Sequence, residues 1–291
     1  MKNIKLFSIF IILIFIGSCS NDRVNFITNN DNNKHIISNH SNSSDNNIFI
    51  KKKTSKKNEE INLSNYNENN MKIIWKFRNG NWESNLNPPN CPEEIIKTTP
   101  VDITLVSSIL YPGQVRGNEY KAHGGFRFDN SNNNKIEVIA PIDGHVISAS
   151  RYLQNGEIQY MFEIINSCGI MYRLDHLNSL SDKFQKIVNK LPIAQEGDSR
   201  TTNTDFIEVS AGEIIAYEIG IKNNIFFDFG VYDLRSPNEL SKNPSTTINY
   251  SKSQAFYGVC WLDLLPQNDM IIAKKLNGGD SINGKKSDYC K

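Results

Sequence analysis

Three short runs hold the side chains of this sequence best suited to chemistry. His123 opens His-Gly-Gly-Phe-Arg, which ends at Arg127 with Asp129 two residues on. Asp175 and His176 are adjacent in Leu-Asp-His-Leu, and Asn224, Phe226 and Asp228 alternate along Asn-Ile-Phe-Phe-Asp-Phe. An imidazole can serve as a metal ligand or as a general base near neutral pH, so His123 and His176 are the side chains to watch, and His176, beside Asp175, is a candidate base. A hydrolytic zinc site needs about three N/O ligands and an open fourth position for water. Arg127 works against one, because a guanidinium keeps its charge in any protein setting and repels a divalent cation. Side chains two apart on a strand share a face. His123, Gly125, Arg127 and Asp129 therefore form one row, and Asn224, Phe226 and Asp228 another. If both rows line one cleft, Arg127 can pair with Asp129 or Asp228 and stand where a cation would. The expected cleft is His123, Arg127, Asp129, Asp175, His176, Asn224, Phe226 and Asp228. His145 follows a turn glycine and is expected to face solvent.

The elements that must position these residues read mostly as strands. Asn79-Gly80 between apolar-aromatic arms signals a hairpin, and Asn-Pro-Pro-Asn-Cys-Pro after it is a rigid connector. From about residue 100, β runs follow one another: VDITLVSSI, GGFRFD, KIEVIAP, HVISASRY, IQYMFEIIN, IMYRLDHL, DFIEVSAGEIIAYEI and NIFFDFGVYDL. Asp143-Gly144, Asn155-Gly156 and Ala211-Gly212 punctuate them. One helix interrupts the series, with Leu180, Phe184, Ile187, Val188 and Leu191 on one face, Ser179 or Ser181 as N-cap and Pro192 beyond it. SQAFYGVCWLDLL is a candidate second helix. Closely spaced strands with one or two short helices indicate a mainly β fold, an antiparallel β-sandwich or open barrel.

The 291 residues carry 32 Lys and Arg against 31 Asp and Glu, so no large basic field favours nucleic acid as a partner. The single long apolar run, Leu-Phe-Ser-Ile-Phe-Ile-Ile-Leu-Ile-Phe-Ile, follows Lys2 and Lys5 and leads to Gly17-Ser18-Cys19, the layout of an export signal. Ile-Gly-Ser-Cys also resembles a bacterial lipobox, which implies lipidation of Cys19 and a membrane-held protein at the cell envelope. Between Asn21 and Asn70, 16 of 50 positions are Asn. No apolar period persists there, so the segment is expected to be a tether, with His35 and His40 facing solvent. Cys91, Cys168, Cys260 and Cys290 remain, an even number in an exported chain, and two disulfides are expected with three pairings open. The expected organisation is a signal peptide at 1–18, the tether at 19–70, hairpin and connector at 71–99, a β domain at 100–270 and a tail at 271–291.

Taken in order, the β runs resemble the lysostaphin or LytM-type zinc peptidases of the duplicated-hybrid-motif fold. That family runs His-x-Gly-x-Asp, Ala-Pro-x-Asp-Gly-x-Val, Tyr-x-His-Leu, Val-x-x-Gly-x-x-Ile-Gly and His-Leu-His-Phe-Glu. This chain has His123 to Arg127, Ala140 to Val146, Leu174 to Leu177, Val209 to Ala216 and Asn224 to Phe229, over roughly residues 100–235. The resemblance implies zinc held by the first His, the Asp four residues on and the second His of His-x-His. Here those positions hold His123, Arg127 and Phe226; Asn224 stands at the first His of His-x-His, and His176 matches the family's other site histidine. One ligand of three survives. The expectation is therefore a degenerate member, without a cofactor, binding a peptide, glycan or protein of the cell envelope, as degenerate members can in regulating wall hydrolases. Two alternatives stand beside it: an active zinc endopeptidase using His123 and His176 with Asp129 or Asp228, and a passive disulfide-held module.

Overall fold

The expected hairpin forms. In a computed structural model that describes residues 72–196, 200–243 and 251–291, strands β1 (Trp75–Arg78) and β2 (Asn81–Ser84) pair in antiparallel register. Asn79 and Gly80 both have positive φ, 51° and 87°, the conformation that a two-residue type I′ turn requires. The segments expected to be a signal peptide and a tether, with Cys19, His35 and His40, lie outside the described residues. Among the described residues no helix is long and apolar enough to cross a membrane.

Twelve further strands follow. They are β3 (Ser108–Leu110), β4 (Gln114–Arg116), β5 (Glu119–Lys121), β6 (Gly124–Arg127), β7 (Val138–Ile139), β8 (Gly144–Gln154), β9 (Glu157–Ile165), β10 (Ile170–Leu177), β11 (Thr202–Val209), β12 (Ile214–Ala216), β13 (Phe226–Asp233) and β14 (Asn277–Gly278). Three short α-helices accompany them: α1 (Asp182–Val188), α2 (Lys252–Ala255) and α3 (Gln267–Lys275). The fold is mainly β, as expected. Its centre is one eight-stranded sheet, ordered β11-β8-β9-β10-β13-β6-β3-β14, antiparallel except at the short β14–β3 pair, and it does not close into a barrel.

Strand alternation explains how this sheet serves two purposes. Tyr172 and Leu174 of β10, Phe227 and Phe229 of β13, Phe126 of β6 and Phe162 of β9 point to one face and form the main core with Trp261. The intervening residues point the other way. At one end they are apolar: Ile165, Met171 and Tyr232 pack with Trp75, Phe256 and Tyr257 as a second cluster. At the other end they are Arg173, Asp175 and Asp228, buried and polar. Parity thus turns a sequence such as Met-Tyr-Arg-Leu-Asp into a core on one side and a site on the other.

Some elements differ from expectation. In VDITLVSSI only Ser108–Leu110 is a strand, because Asp102 caps a 3₁₀ turn at Ile103–Leu105 by accepting from the Thr104 N–H at 2.9 Å. The candidate second helix breaks into α2 and a 3₁₀ turn at Trp261–Leu264, with Gly258 packed against Tyr289 between them. In α1, Ser181 occupies the N-cap, but its hydroxyl donates to the Ile214 carbonyl instead of capping.

The cysteines pair as Cys91–Cys168 and Cys260–Cys290, separated by 77 and 30 residues. Loops of these lengths correspond to about 4 kcal/mol each in the chain-entropy account of cross-linking. The second bridge anchors a C-terminal segment that is built into the fold. Helix α3 runs across residues 270 and 271, β14 extends the sheet, and the Asp288 N–H donates to the Gly113 carbonyl at 2.9 Å.

The aromatic stack under the site sets the stability expectation. Phe126 is fully buried, with ring centroids 4.8 Å from Trp261 and 6.1 Å from both Phe227 and Phe229. Phe126→Ala is expected to lower unfolding free energy by about 3–5 kcal/mol, read from the urea midpoint at unchanged m-value.

Candidate functional site

The site begins with an irregularity. Strict alternation would send Asp175 and His176 to opposite faces of the sheet. The β10–β9 register shifts between Leu174 and Leu177, and His176 adopts φ 63°. This bulge turns its imidazole back to the face that carries Asp175. Left-handed backbone at a residue with a β-carbon is strained, and two bonds hold it: the His176 N–H donates to Asp175 Oδ1 at 2.8 Å, and the Gly220 N–H donates to the His176 carbonyl at 2.7 Å.

Asp228 is the centre of the cluster. Cross-strand pairing sets it opposite Gly125 on β6 and opposite Asp175 on β10. Gly125 is necessary there, since a β-carbon would fall 2.5 Å from the Phe227 carbonyl oxygen and 3.0 Å from Asp228 Oδ1. Two imidazoles reach one oxygen of this carboxylate, His123 Nε2 at 3.2 Å and His176 Nε2 at 3.4 Å from Asp228 Oδ2. All three side chains are nearly buried, exposing 10–12% of their surface.

Hydrogen-bond accounting favours one arrangement of the protons. Gln159 Nε2 donates to Asn178 Oδ1 at 2.6 Å and to the Gly220 carbonyl at 2.7 Å, which uses both of its N–H groups. Its Oε1 therefore faces His176 Nδ1, 3.2 Å away, as an acceptor. The Tyr152 hydroxyl donates to Asp175 Oδ1 at 2.6 Å, so its oxygen also presents a lone pair to the same nitrogen at 3.3 Å. Both neighbours require a proton on His176 Nδ1. With Nε2 facing a carboxylate as well, the surroundings of His176 favour its imidazolium form. The Phe226 ring, 4.1 Å from its centroid, covers it and favours the cation.

The electrostatics agree. Burial alone would lower the His176 pKa, but Asp175 and Asp228 outweigh it and hold the group above the free imidazole's 6.5. For His123 burial dominates, with Arg173 and Arg116 adding to it and Asp228 opposing, so its pKa lies below 6.5. Asp228 resists burial through the two imidazoles and stays well below the usual carboxylate range. Asp175 is likewise lowered against burial, first by Arg173, which donates to its Oδ2 at 2.7 Å. Burial and the neighbouring Asp175 push the Tyr152 hydroxyl well above its ordinary value. Asp228 is thus matched by His176, and Asp175 by Arg173.

The structure brings His123, Asp175, His176, Phe226 and Asp228 into this cluster. Arg127, Asp129 and Asn224 form a separate, more exposed group at its edge. Arg127 Nη2 donates to Asp129 Oδ1 at 2.6 Å and to Asn224 Oδ1 at 3.2 Å. Of the two acids within its expected reach, Arg127 takes Asp129, while Asp228 is held by the imidazoles. His145 is buried rather than solvent-facing, because its ring stacks on Phe206 at 3.9 Å. Sequence reasoning missed Arg116, Tyr152, Gln159 and Arg173. Arg173 was within reach of it, two residues before Asp175 on one strand face. Tyr152 and Gln159 meet His176 only through the bulge, which has no sequence signal.

The resemblance implies zinc, and three N/O donors converge here. They do not fit the ion as they stand. Arg173 and Arg116 place fixed positive charge beside them, which opposes a divalent ion. Among the described residues no group of three or more His, Cys, Asp or Glu side chains is disposed to hold a metal. Comparison with known proteins adds nothing further: no family model, no curated protein and no solved structure matches the chain.

Opposed shifts on two histidines give a signed expectation. His176 is raised, so its contribution to stability is full below pH 6.5 and is lost as pH rises through its folded pKa. His123 is lowered, so its contribution is full above pH 6.5 and is lost as pH falls through its folded pKa. Their joint contribution peaks near pH 6.5. In ¹⁵N-detected titration His176 is expected to carry protons on both nitrogens at pH 6.5, with His123 neutral. Asp228→Asn is expected to lower the His176 midpoint and cost about 3–5 kcal/mol, as when one partner of a buried pair is removed.

Proposed function

We propose that this chain is an exported, lipid-anchored protein whose peptidase-like domain binds a cell-envelope peptide, glycan or protein without cleaving it. The observation that carries this reading is geometric: Asp228 already faces two imidazoles, and Arg127 stands where the peptidases keep a carboxylate. His176, 3.4 Å from Asp228 and with its pKa raised, favours a positive charge opposite that carboxylate without a divalent ion. Arg127 lies four residues beyond His123 and is paired with Asp129.

On this reading the correspondence with the LytM-type peptidases moves by two residues. A third ligand from β13 must face the point midway between residues 123 and 127. The residue opposite Gly125 is Asp228, whereas Phe226 lies opposite Arg127. The His-x-His pair then corresponds to Phe226 and Asp228 rather than to Asn224 and Phe226. Two of the three ligand positions hold N/O donors, the third holds Arg127, and the first His of His-x-His, which the resemblance makes catalytic, is replaced by the Phe226 ring. On this reading the domain keeps part of the family's site and has lost the means of activating water. A regulator of wall hydrolases, attached to the membrane through Cys19, is the role this combination suits best.

The test is metal content together with binding. After exchange into zinc-containing buffer and dialysis, the purified protein is expected to retain well under one equivalent of zinc and to leave cross-linked wall peptides intact. It is expected to bind wall fragments, and Phe226→Ala is expected to weaken that binding by about tenfold, the equivalent of 1.4 kcal/mol. Close to one equivalent of zinc, lost on His123→Ala together with peptide cleavage, would establish a zinc endopeptidase instead. Wall binding that ignores every cleft substitution would leave a passive structural module.

A further inference from the structure

Arg116 has no role in the cluster derived above, and its surroundings are unusual for a guanidinium that is more than half buried. Its contacts are all neutral oxygens: Nη1 donates to the Tyr111 carbonyl at 2.7 Å and to Gln114 Oε1 at 3.2 Å, and Nη2 donates to the His123 carbonyl at 3.0 Å. Among the described residues no carboxylate lies within ion-pair distance of it. The two acids that act on it from further away, Asp228 and Asp280, are committed elsewhere. Asp228 faces the two imidazoles, and Asp280 Oδ1 accepts from the Ile282 N–H, the Asn283 N–H and Asn283 Nδ2. Burial consequently outweighs both acids and lowers the Arg116 pKa. The other buried guanidinium of the site, Arg173, has its carboxylate partner in Asp175.

The strand pair that carries Arg116 is braced. Gln114 Nε2 donates to the Gly284 and Lys286 carbonyls, Asn283 Nδ2 donates to the Val115 carbonyl, and the Ser287 hydroxyl donates to the Pro112 carbonyl. All these partners belong to the C-terminal segment held by Cys260–Cys290. The guanidinium is therefore held in place at the His123 end of β6, with N–H groups still uncommitted. A positioned guanidinium without a carboxylate is suited to accept one, since its fork matches the two oxygens of that group.

We infer that Arg116 is the anchor for a carboxylate on the ligand of this cleft, as a peptide chain end or an acidic side chain supplies. The inference rests on the binding reading and deepens it by naming the group recognised. The probes are trialanine with a free C-terminal carboxylate, trialanine amide and inorganic phosphate, each titrated into the whole protein. The readouts are the Arg116 Nε–H and His123 imidazole resonances. The acid is expected to shift both saturably and at least tenfold more tightly than the amide. Arg116→Gln is expected to abolish that preference, and Arg116→Lys, which keeps the charge and a donor, to retain part of it. Backbone resonances of Gln114 and His123 confirm that the variants are folded. Equal response to acid and amide, or a preference that survives Arg116→Gln, overturns the inference. Phosphate acting at lower concentration than the acid overturns the carboxylate assignment in favour of phosphate. Wall fragments that still bind through Phe226 while acid and amide act alike leave the binding reading standing and remove the anchor alone.

Discussion

A single carboxylate organises the polar half of this domain. Asp228 is nearly buried, lies directly opposite a second acid, Asp175, and remains ionised. Two carboxylates facing each other across a ladder repel, and burial amplifies the repulsion by thinning out the water that would screen it. The arrangement persists because each acid has its own cation, Arg173 for Asp175 and His176 for Asp228, while His123 adds a neutral donor. Removing any one charged member leaves a buried charge unanswered, so the cluster acts as a unit rather than as a set of independent contacts.

The fold supplies that unit with a rigid floor. Strands β6, β13 and β10 bring His123, Asp228 and Asp175 together by register alone, and the aromatic core beneath them leaves little room for the strands to shift. Glycine does the rest where backbone and side chain must come close. Gly125 lets the Asp228 carboxylate lie over its neighbour, and Gly230 does the same for His123, whose β-carbon would be 3.0 Å from a β-carbon added there. The C-terminal segment completes the frame from the side, so a single disulfide links the far end of the chain to the geometry around Arg116.

Much of this was legible in the sequence, and the part that was not has a definite physical reason. Local chemistry carried the hairpin at Asn79-Gly80, the turn at Asn155-Gly156, helix α1 and the strand parity that aligns His123 with Arg127 and Phe226 with Asp228. These depend on neighbours a few residues apart. Register does not: that Asp228 rather than Phe226 faces Gly125 is decided by how β13 slides against β6, and a two-residue slip preserves parity and so leaves the apolar pattern intact. The bulge at His176 is hidden for a related reason. Nothing in Leu-Asp-His-Leu announces a left-handed residue, and without it Tyr152 and Gln159 have no connection to the site. His145 was misread because a turn glycine before it suggests exposure, whereas Phe206 on the adjacent strand β11 offers its ring.

The same hydrogen bonds decide what His176 can do. A general base must present a lone pair to the proton that it removes. Gln159 and Tyr152 hold a proton on Nδ1, Asp228 favours one on Nε2, and Phe226 lies across the ring. Every neighbour that raises the proton affinity of His176 also reduces the fraction of molecules in which the lone pair is free. The residue adjacent to Asp175 that reads as a base in the sequence is therefore biased toward its positive form in the folded chain. The neighbours that could have tuned it for proton transfer instead favour its protonated form.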